Sequence, residues 1–165
     1  LRSYRVHGKG SSKYDNIRIG MNSRLDTMQA AVLLAKLPVF TGKELEEEQK
    51  VAAWYTEGLK DIVKTPVILE NFNSSWAQYT IQLPDGETRD RLQAHLKGQG
   101  IPSMVYYQKP MHRQQAFTAQ KYDDREYSVT NRLSETVLSL PFHPYMEREE
   151  VQKVIEIIRE FMESL

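Results

Sequence analysis

The segment Gly20–Asp26 combines residue types that could bind an anion at the start of a helix. Asn22 supplies an amide donor, and Arg24 supplies a guanidinium two residues later. Backbone and side-chain N–H groups at a helix start suit a phosphate or a carboxylate. The alternative is structural, because Asn22 or Ser23 could simply cap a helix. Arg24 would then pair with Asp26, and both interpretations remain open on the residues alone.

A second segment, Leu140–Tyr145, lies ahead of a predicted helix and contains two prolines. His143 lies between Pro141 and Pro144, and Tyr145 directly follows Pro144. Proline restricts its own backbone and that of the residue before it, so the turn is expected to be rigid. Polar side chains on a rigid loop are typical of a ligand site. The alternative is a structural turn whose aromatic rings pack beneath the last helix.

Several other kinds of chemistry find no support in the residues. The stretch Gly8–Gly10 has neither a preceding strand nor a following helix, so a dinucleotide-binding loop is not predicted. The four histidines are scattered without metal-ligand spacing, and the 165-residue chain has no cysteine. We therefore expect no metal site, no disulfide and no cysteine nucleophile.

The overall charge also excludes classes of partner. The 22 basic and 22 acidic residues cancel, so no overall field attracts nucleic acid or an anionic membrane. No apolar run approaches the roughly 20 residues that span a bilayer. These features, with the absence of cysteine, favour a cytoplasmic protein that binds neither nucleic acid nor membrane. The chain opens in a polar, basic stretch without a methionine, which suggests a piece of a longer protein.

The anion-binding segment must be positioned by a loop and a helix. Residues 1–23 have no sustained period and are predicted to be loop. A helix is expected from about Arg24, with an apolar face of Leu25, Met28, Val32 and Ala35. Pro38 should end or kink this helix.

A second helix is predicted over Lys43–Asp61, and it is charged at one end only. Its first half contains the run Glu44–Glu48, expected to be a solvated face, and its second half is apolar. A helix of this kind often connects two domains. We therefore predict one domain portion over residues 1–42 and a second domain, with this bridging helix, over residues 43–165.

The remaining pattern predicts a small sheet with helices, in which the His143–Tyr145 turn follows the last strand. Extended segments are expected over Val67–Leu69, Trp76–Leu83, Ile101–Tyr107 and Leu138–Pro141. Helices are expected over Arg89–Lys97 with Thr88 as its cap, Val129–Val137 and Arg148–Leu165. This order predicts an α+β fold with a small, mostly antiparallel sheet covered by helices.

At these segments the sequence resembles the DegT/StrS family of sugar aminotransferases. The resemblance rests first on Gly20-Met21-Asn22-Ser23-Arg24-Leu25-Asp26 followed by Gln29-Ala30-Ala31. It continues through Trp76–Tyr79, Gly100–Pro102, Tyr106–His112 and Leu138–Tyr145, in the family's order and over nearly the whole chain. The resemblance implies the C-terminal small domain of a fold type I enzyme that uses pyridoxal phosphate, with residues 1–42 as the tail of its large domain.

What the resemblance implies about function is specific. The family moves an amino group from glutamate to a keto group of a nucleotide-linked sugar, for surface polysaccharide or related amino sugars, and works as a homodimer. The Schiff-base lysine of the family precedes the segment that matches Leu1, so no catalytic residue is assigned and the chain alone is expected to be inactive. Asn22 matches the asparagine that binds the cofactor phosphate of the neighbouring subunit. Arg24, His143, Tyr145 and Tyr14 match positions near the sugar nucleotide.

Two further functions remain open on the sequence. A family relative could use the same cofactor to dehydrate a sugar, and the identity of the residue at the upstream lysine position would decide between these reactions. The chain could also be a non-catalytic ligand-binding or interaction module. The half-charged bridging helix argues against the module.

Overall fold

The computed structural model describes residues 1–12, 15–117, 119–120 and 122–165. The chain divides into two compact units, Leu1–Gly42 and Lys43–Leu165. Within the described residues, no helix combines the length and the apolar character that a bilayer-spanning segment requires. Each unit is described by itself below.

The first unit is a loop followed by one helix. Two isolated antiparallel bridges, Val6↔Asn22 and Lys9↔Asn16, hold the loop together. Helix α1, Thr27–Val39, follows, and none of its residues is buried. Asp26 caps it, since its Oδ1 accepts a hydrogen bond of 2.9 Å from the Gln29 amide. The prediction that the helix begins near Arg24 was therefore three residues early.

Pro38 lies inside α1 rather than at its end. A π-helical turn, Phe40–Glu44, comes directly after α1 and precedes helix α2, Leu45–Leu59. Proline removes one backbone donor, and proline and π-helical turns are both known causes of a local departure from regular α-helical geometry. The predicted break at Pro38 thus appears as a change of helical type two residues later.

The second unit contains two paired strands and the remaining helices. Strand β1, Tyr79–Gln82, pairs antiparallel with β2, Val137–Leu140, in the register Tyr79↔Leu140 to Gln82↔Val137. The helices are α2, α3 (Gly86–Gly98), α4 (Ser128–Thr136) and α5 (Arg148–Glu163), with short 3₁₀ turns at Met111–Arg113, Gln115–Phe117 and Asp124–Tyr127. Helices around a small antiparallel sheet confirm the predicted α+β class.

Two predicted strands were wrong, because one segment pairs with no strand and the other pairs at a single residue. Val67–Leu69 forms no strand, and Lys64 instead bridges to Gln82 in β1. In Ile101–Tyr107 only Met104 pairs, through a bridge to Ser139 in β2. Hydrophobic residues and β-branching identified these segments, but only a neighbouring strand can make them into a sheet.

The predicted cap of α3 was also wrong. Asp85, not Thr88, caps this helix, and its carboxylate accepts a hydrogen bond of 2.8 Å from the Thr88 amide. The helix therefore begins at Gly86, three residues before the predicted start.

The core of the second unit is formed by side chains of α2, α3, α5 and both strands. Its largest fully buried side chains are Tyr55, Leu59, Tyr79, Ile81, Leu92, Leu96, Leu138 and Ile158. Burial of each large apolar side chain contributes about 1.5–3 kcal/mol. The apolar stripe of α5 is the part of this core that the sequence predicted best, and Val151, Val154, Ile155, Ile158 and Phe161 are all buried.

Gly58 allows α2 and α5 to approach closely. A Cβ atom at Gly58 would lie 2.6 Å from Cδ1 and 2.8 Å from Cγ2 of Ile155. We predict that Gly58→Ala lowers the free energy of unfolding by about 1–3 kcal/mol, because the buried Ile155 must move. Urea unfolding measures this change.

Gly98→Ala is the matched control, because a Cβ at Gly98 would meet nothing within 4 Å. In this exposed helical position alanine should raise the free energy of unfolding by up to about 1 kcal/mol. Equal effects of the two substitutions would contradict the predicted close packing.

The end of α2 is fastened to α5 by an ion pair. Arg159 donates two hydrogen bonds of 2.8 Å to the carboxylate of Asp61, and a third of 2.7 Å to the Gly58 carbonyl. The Arg159 hydrogen bonds lower the pKa of Asp61 from 3.8 to about 2. The contribution of Asp61 to stability is therefore present above the ordinary carboxyl pKa and lost as pH falls towards 2.

We predict that Asp61→Asn destabilises the chain by a constant amount between about pH 5 and pH 8, and that this difference from the wild type shrinks below about pH 4. Urea unfolding at a series of pH values measures it. Glu70→Gln, at an exposed loop position, is the control and should show no such trend. A difference that persists unchanged at pH 2 would contradict the role of the Asp61 charge.

Candidate functional site

Backbone hydrogen bonds on both sides of Asn22 fix its position in the loop. The His7 amide donates to the Met21 carbonyl at 3.0 Å, and the Ser23 amide donates to the Arg5 carbonyl at 2.9 Å. These bonds flank Asn22, which itself forms the bridge to Val6. The Asn22 side chain is exposed and has no hydrogen-bond partner among the described residues. An amide donor is thus presented from a well-anchored backbone.

The tight turn opposite Asn22 depends on Gly8. Its φ of +74° lies in the left-handed region, and a Cβ there would approach the Arg18 carbonyl oxygen to 1.8 Å. No other residue type fits this combination of backbone angle and close approach. The glycine therefore helps the loop to close against the Asn22 segment.

Arg24 is exposed and forms no ion pair within the described part of the chain. Asp26, the acid that could have paired with it, caps α1 instead. Both structural alternatives for this segment are therefore wrong: Asn22 is not the helix cap, and Arg24 is not paired with Asp26. The amide of Asn22 and the guanidinium of Arg24 remain available to a ligand.

The residues just before the His143–Tyr145 turn are attached to the core by a hydrogen bond and by aromatic packing. Tyr55, a fully buried residue, donates a hydrogen bond of 2.9 Å from its hydroxyl to the Pro141 carbonyl. Burial raises the pKa of the Tyr55 hydroxyl well above its ordinary value. Phe142 packs against Trp76 and Tyr79, with ring centroids 6.1 and 6.2 Å apart. Phe142, rather than His143 or Tyr145, is the aromatic residue that packs inward.

His143 and Tyr145 are both exposed on this turn, and their ring centroids lie 6.5 Å apart. The Tyr145 amide donates a hydrogen bond of 3.2 Å to Nδ1 of His143. The Tyr145 hydroxyl donates to the carboxylate of Glu44. This hydrogen bond raises the pKa of Tyr145. The structure therefore brings these two predicted residues together and adds Glu44 to them.

The sequence did not indicate Glu44, which was expected to belong to a solvated face. The structure shows Glu46 exposed but Glu44, Glu47 and Glu48 half-buried. Burial, followed by the charge of Glu44, raises the pKa of Glu48. One oxygen of Glu48 is buried and has no hydrogen-bond partner among the residues that the structure describes. Glu44 and Tyr145 are 101 residues apart, so no local pattern could have joined them.

The segment Tyr106–His112 behaves differently. The side chain of His112 is only 7% exposed and its Nε2 lies 3.0 Å from the Asp124 carboxylate. Its ring stacks on Tyr127 with centroids 4.3 Å apart, and Arg113 donates to Asp124 at 2.7 Å. His112 thus fastens the 3₁₀ turns to each other, while Tyr107 stays 74% exposed.

The remaining predicted residue, Tyr14, lies outside the described residues. Asn22 and Arg24 belong to the first unit, and His143 and Tyr145 belong to the second. No three histidine or acidic side chains in the described ranges are grouped so that they could hold a metal ion.

Comparison with known proteins identifies relatives along nearly the whole chain. The model of the DegT/DnrJ/EryC1/StrS aminotransferase family matches residues 1–159. A UDP-2-acetamido-2-deoxy-3-oxo-D-glucuronate aminotransferase of Pseudomonas aeruginosa is 40% identical over 89% of this chain and 39% of its own length. A pleiotropic regulatory protein of Geobacillus stearothermophilus is also 40% identical, over 97% of this chain and 43% of its own.

Solved structures are also similar to this chain over nearly its whole length. A DegT DnrJ EryC1 StrS aminotransferase from Brucella abortus is 46% identical, with a TM-score of 0.81 over 98% of this chain and 42% of its own. DesV of S. venezuelae is 32% identical, with a TM-score of 0.79 over 98% of this chain and 43% of its own. The chain therefore spans less than half the length of the relatives that it matches.

Proposed function

Because the chain belongs to the DegT/DnrJ/EryC1/StrS aminotransferase family, we propose that it forms the C-terminal part of a pyridoxal-phosphate-dependent sugar aminotransferase. The enzyme moves an amino group from glutamate to a keto group of a nucleotide-linked sugar in the cytoplasm, for surface polysaccharide or related amino-sugar synthesis. The observation that carries this proposal is the match of residues 1–159, which includes both candidate segments. Relatives with 30–40% identity bear the names of UDP- and dTDP-sugar aminotransferases or transaminases.

The chemistry of Asn22 fits the phosphate of this cofactor. A neutral amide donor adds a hydrogen bond to a phosphate oxygen without adding charge, and the Asn22 amide has no competing partner in the described chain. The flanking backbone bonds would hold it still while the phosphate is bound. When bound, pyridoxal phosphate supplies the electron sink for amino transfer. Asn22 would orient the cofactor by donating a hydrogen bond to its phosphate group.

Arg24 and the His143–Tyr145 turn are assigned to the substrate. An unpaired guanidinium suits the diphosphate of a nucleotide sugar or a carboxylate on the sugar, because it can donate two parallel hydrogen bonds. His143 and Tyr145 offer uncharged polar groups from a rigid turn. Tyr14 remains a weaker candidate for the same ligand.

The exposed apolar residues of α1 support a larger assembly. Met28, Val32, Leu34 and Leu37 are between 52% and 79% exposed, and α1 has no buried residue. A 13-residue helix gains most of its stability from packing an apolar face. We assign residues 1–42 to the tail of the large cofactor-binding domain and residues 43–165 to the small domain. In the homodimer, Asn22 would complete the site of the neighbouring subunit.

In the full-length enzyme, we predict that Asn22→Ala weakens cofactor binding about 10- to 100-fold, the usual cost of losing a hydrogen bond to a charged group. The cofactor absorbance that remains after dialysis measures retention. Asn16→Ala is the matched control, because Asn16 is also exposed and also lies in an isolated bridge. Equal retention by the two variants would contradict the phosphate contact.

We predict that Arg24→Ala raises the KM for the nucleotide sugar about 10- to 100-fold and changes the KM for glutamate by less than about twofold. Steady-state kinetics with each substrate varied in turn measures both constants. Arg2→Ala, which removes another exposed arginine of the same unit, should change neither. A larger effect on glutamate would instead place Arg24 beside the amino donor.

A further inference from the structure

We propose that Glu44 is a positioning residue that makes the His143–Tyr145 turn selective for a neutral, hydroxyl-bearing part of the ligand. The inference rests on the proposed function, since it concerns how this turn meets a sugar nucleotide. Glu44 lies at the end of the π-helical turn before α2 and accepts a hydrogen bond from the Tyr145 hydroxyl. This contact decides what Tyr145 can offer to a ligand.

A tyrosine hydroxyl has one hydrogen to donate and lone pairs that accept. Glu44 takes that hydrogen, because a carboxylate can only accept. The raised pKa of Tyr145 is consistent with a phenol that stays protonated and points its hydrogen at Glu44. The exposed side of the Tyr145 oxygen is therefore an acceptor, and a ligand there must donate.

His143 is fixed in the complementary sense. The Tyr145 amide donates to Nδ1 of His143 at 3.2 Å. A backbone N–H can donate only to a ring nitrogen without a hydrogen, so the neutral ring carries its hydrogen on Nε2. Nε2 thus presents a donor, and the turn offers one acceptor and one donor from side chains whose centroids lie 6.5 Å apart.

The charge near the turn disfavours an anion. Glu44 forms no ion pair within the described ranges, so its charge is not cancelled by a cation. Its charge is also felt at Glu48, where it contributes to the raised pKa. A phosphate or carboxylate that replaced a hydroxyl at Tyr145 would face both a lone pair and this negative charge. Hydroxyl or amide groups of a sugar both donate and accept, and they satisfy the turn without this repulsion.

Kinetics of the full-length enzyme test the inference. Tyr145→Phe should raise the KM for the nucleotide sugar about fivefold to tenfold with kcat unchanged. Glu44→Ala should raise it similarly, because the released hydroxyl loses its fixed orientation. The double variant should show no more than the larger single effect, since both changes remove one contact. For Tyr145→Phe, which removes only a neutral group, the increase should be the same at about 0.05 M and about 0.5 M NaCl.

Glu44→Gln keeps an acceptor oxygen and removes the charge, so its KM should lie nearer the wild-type value than that of Glu44→Ala. Glu57→Gln, at an exposed position of the following helix α2, is the control and should change nothing. Urea unfolding of each variant separates loss of the contact from loss of the fold, and a KM effect present in Glu44→Ala but absent from an equally destabilised Gly58→Ala supports positioning.

The outcomes distinguish this inference from the function on which it rests. If Tyr145→Phe raises KM and Glu44→Ala does not, the role of Glu44 is overturned and the turn remains a substrate contact. If neither Tyr145→Phe nor His143→Ala changes KM, the turn is not a substrate contact and both ideas fail. Nitrogen-15 NMR of the full-length enzyme adds a direct readout, since a hydrogen on Nδ1 of neutral His143 would overturn the donor assignment.

Discussion

The hydroxyl of Tyr55 is the contact on which the second unit depends. A buried hydroxyl without a partner would cost free energy, so this side chain can fill the core only where an acceptor is waiting. The acceptor is the Pro141 carbonyl, immediately after β2. The ring of Tyr55 also stacks on Tyr79 of β1 with centroids 5.1 Å apart. One side chain on α2 thus fixes the helix against the sheet and fixes the residue that begins the His143–Tyr145 turn.

The same contact explains why the turn can present polar groups to a ligand. Phe142 points into the aromatic cluster beside Tyr79, and the next residues are directed outward by the prolines on either side of His143 and by the anchored carbonyl. The Glu44 carboxylate then accepts a hydrogen bond from the Tyr145 hydroxyl. The hydrogen bonds of Tyr145 to Nδ1 of His143 and to Glu44 restrain these two exposed side chains, which favours a preorganised contact.

Local chemistry in the sequence was enough to predict that the helices and the strands β1 and β2 exist, but not all of their bounds. Helix α5 was predicted well because the spacing of apolar residues within its own sequence is enough to identify it. Val67–Leu69 failed because a strand needs a neighbour, and pairing with β1 occurs at Lys64 instead. The caps failed for a related reason. Asn22 and Thr88 have suitable side chains, but Asp26 and Asp85 lie where the backbone turns.

The residues of the candidate site also differ in whether local sequence or only the fold could identify them. The types and spacing of Asn22 and Arg24 indicated ligand contacts, which stay a prediction. The structure shows that Asp26 caps α1 and that neither Asn22 nor Arg24 has a side-chain partner among the described residues. Glu44 was invisible because its partner follows 101 residues later, beyond any periodic pattern. Its run of glutamates looked like solvent-facing charge, yet one of them orients a tyrosine. The role of Glu44 depends on its contact with Tyr145, a residue that is distant in sequence and close only in the fold. A role of that kind can be identified only from the folded unit.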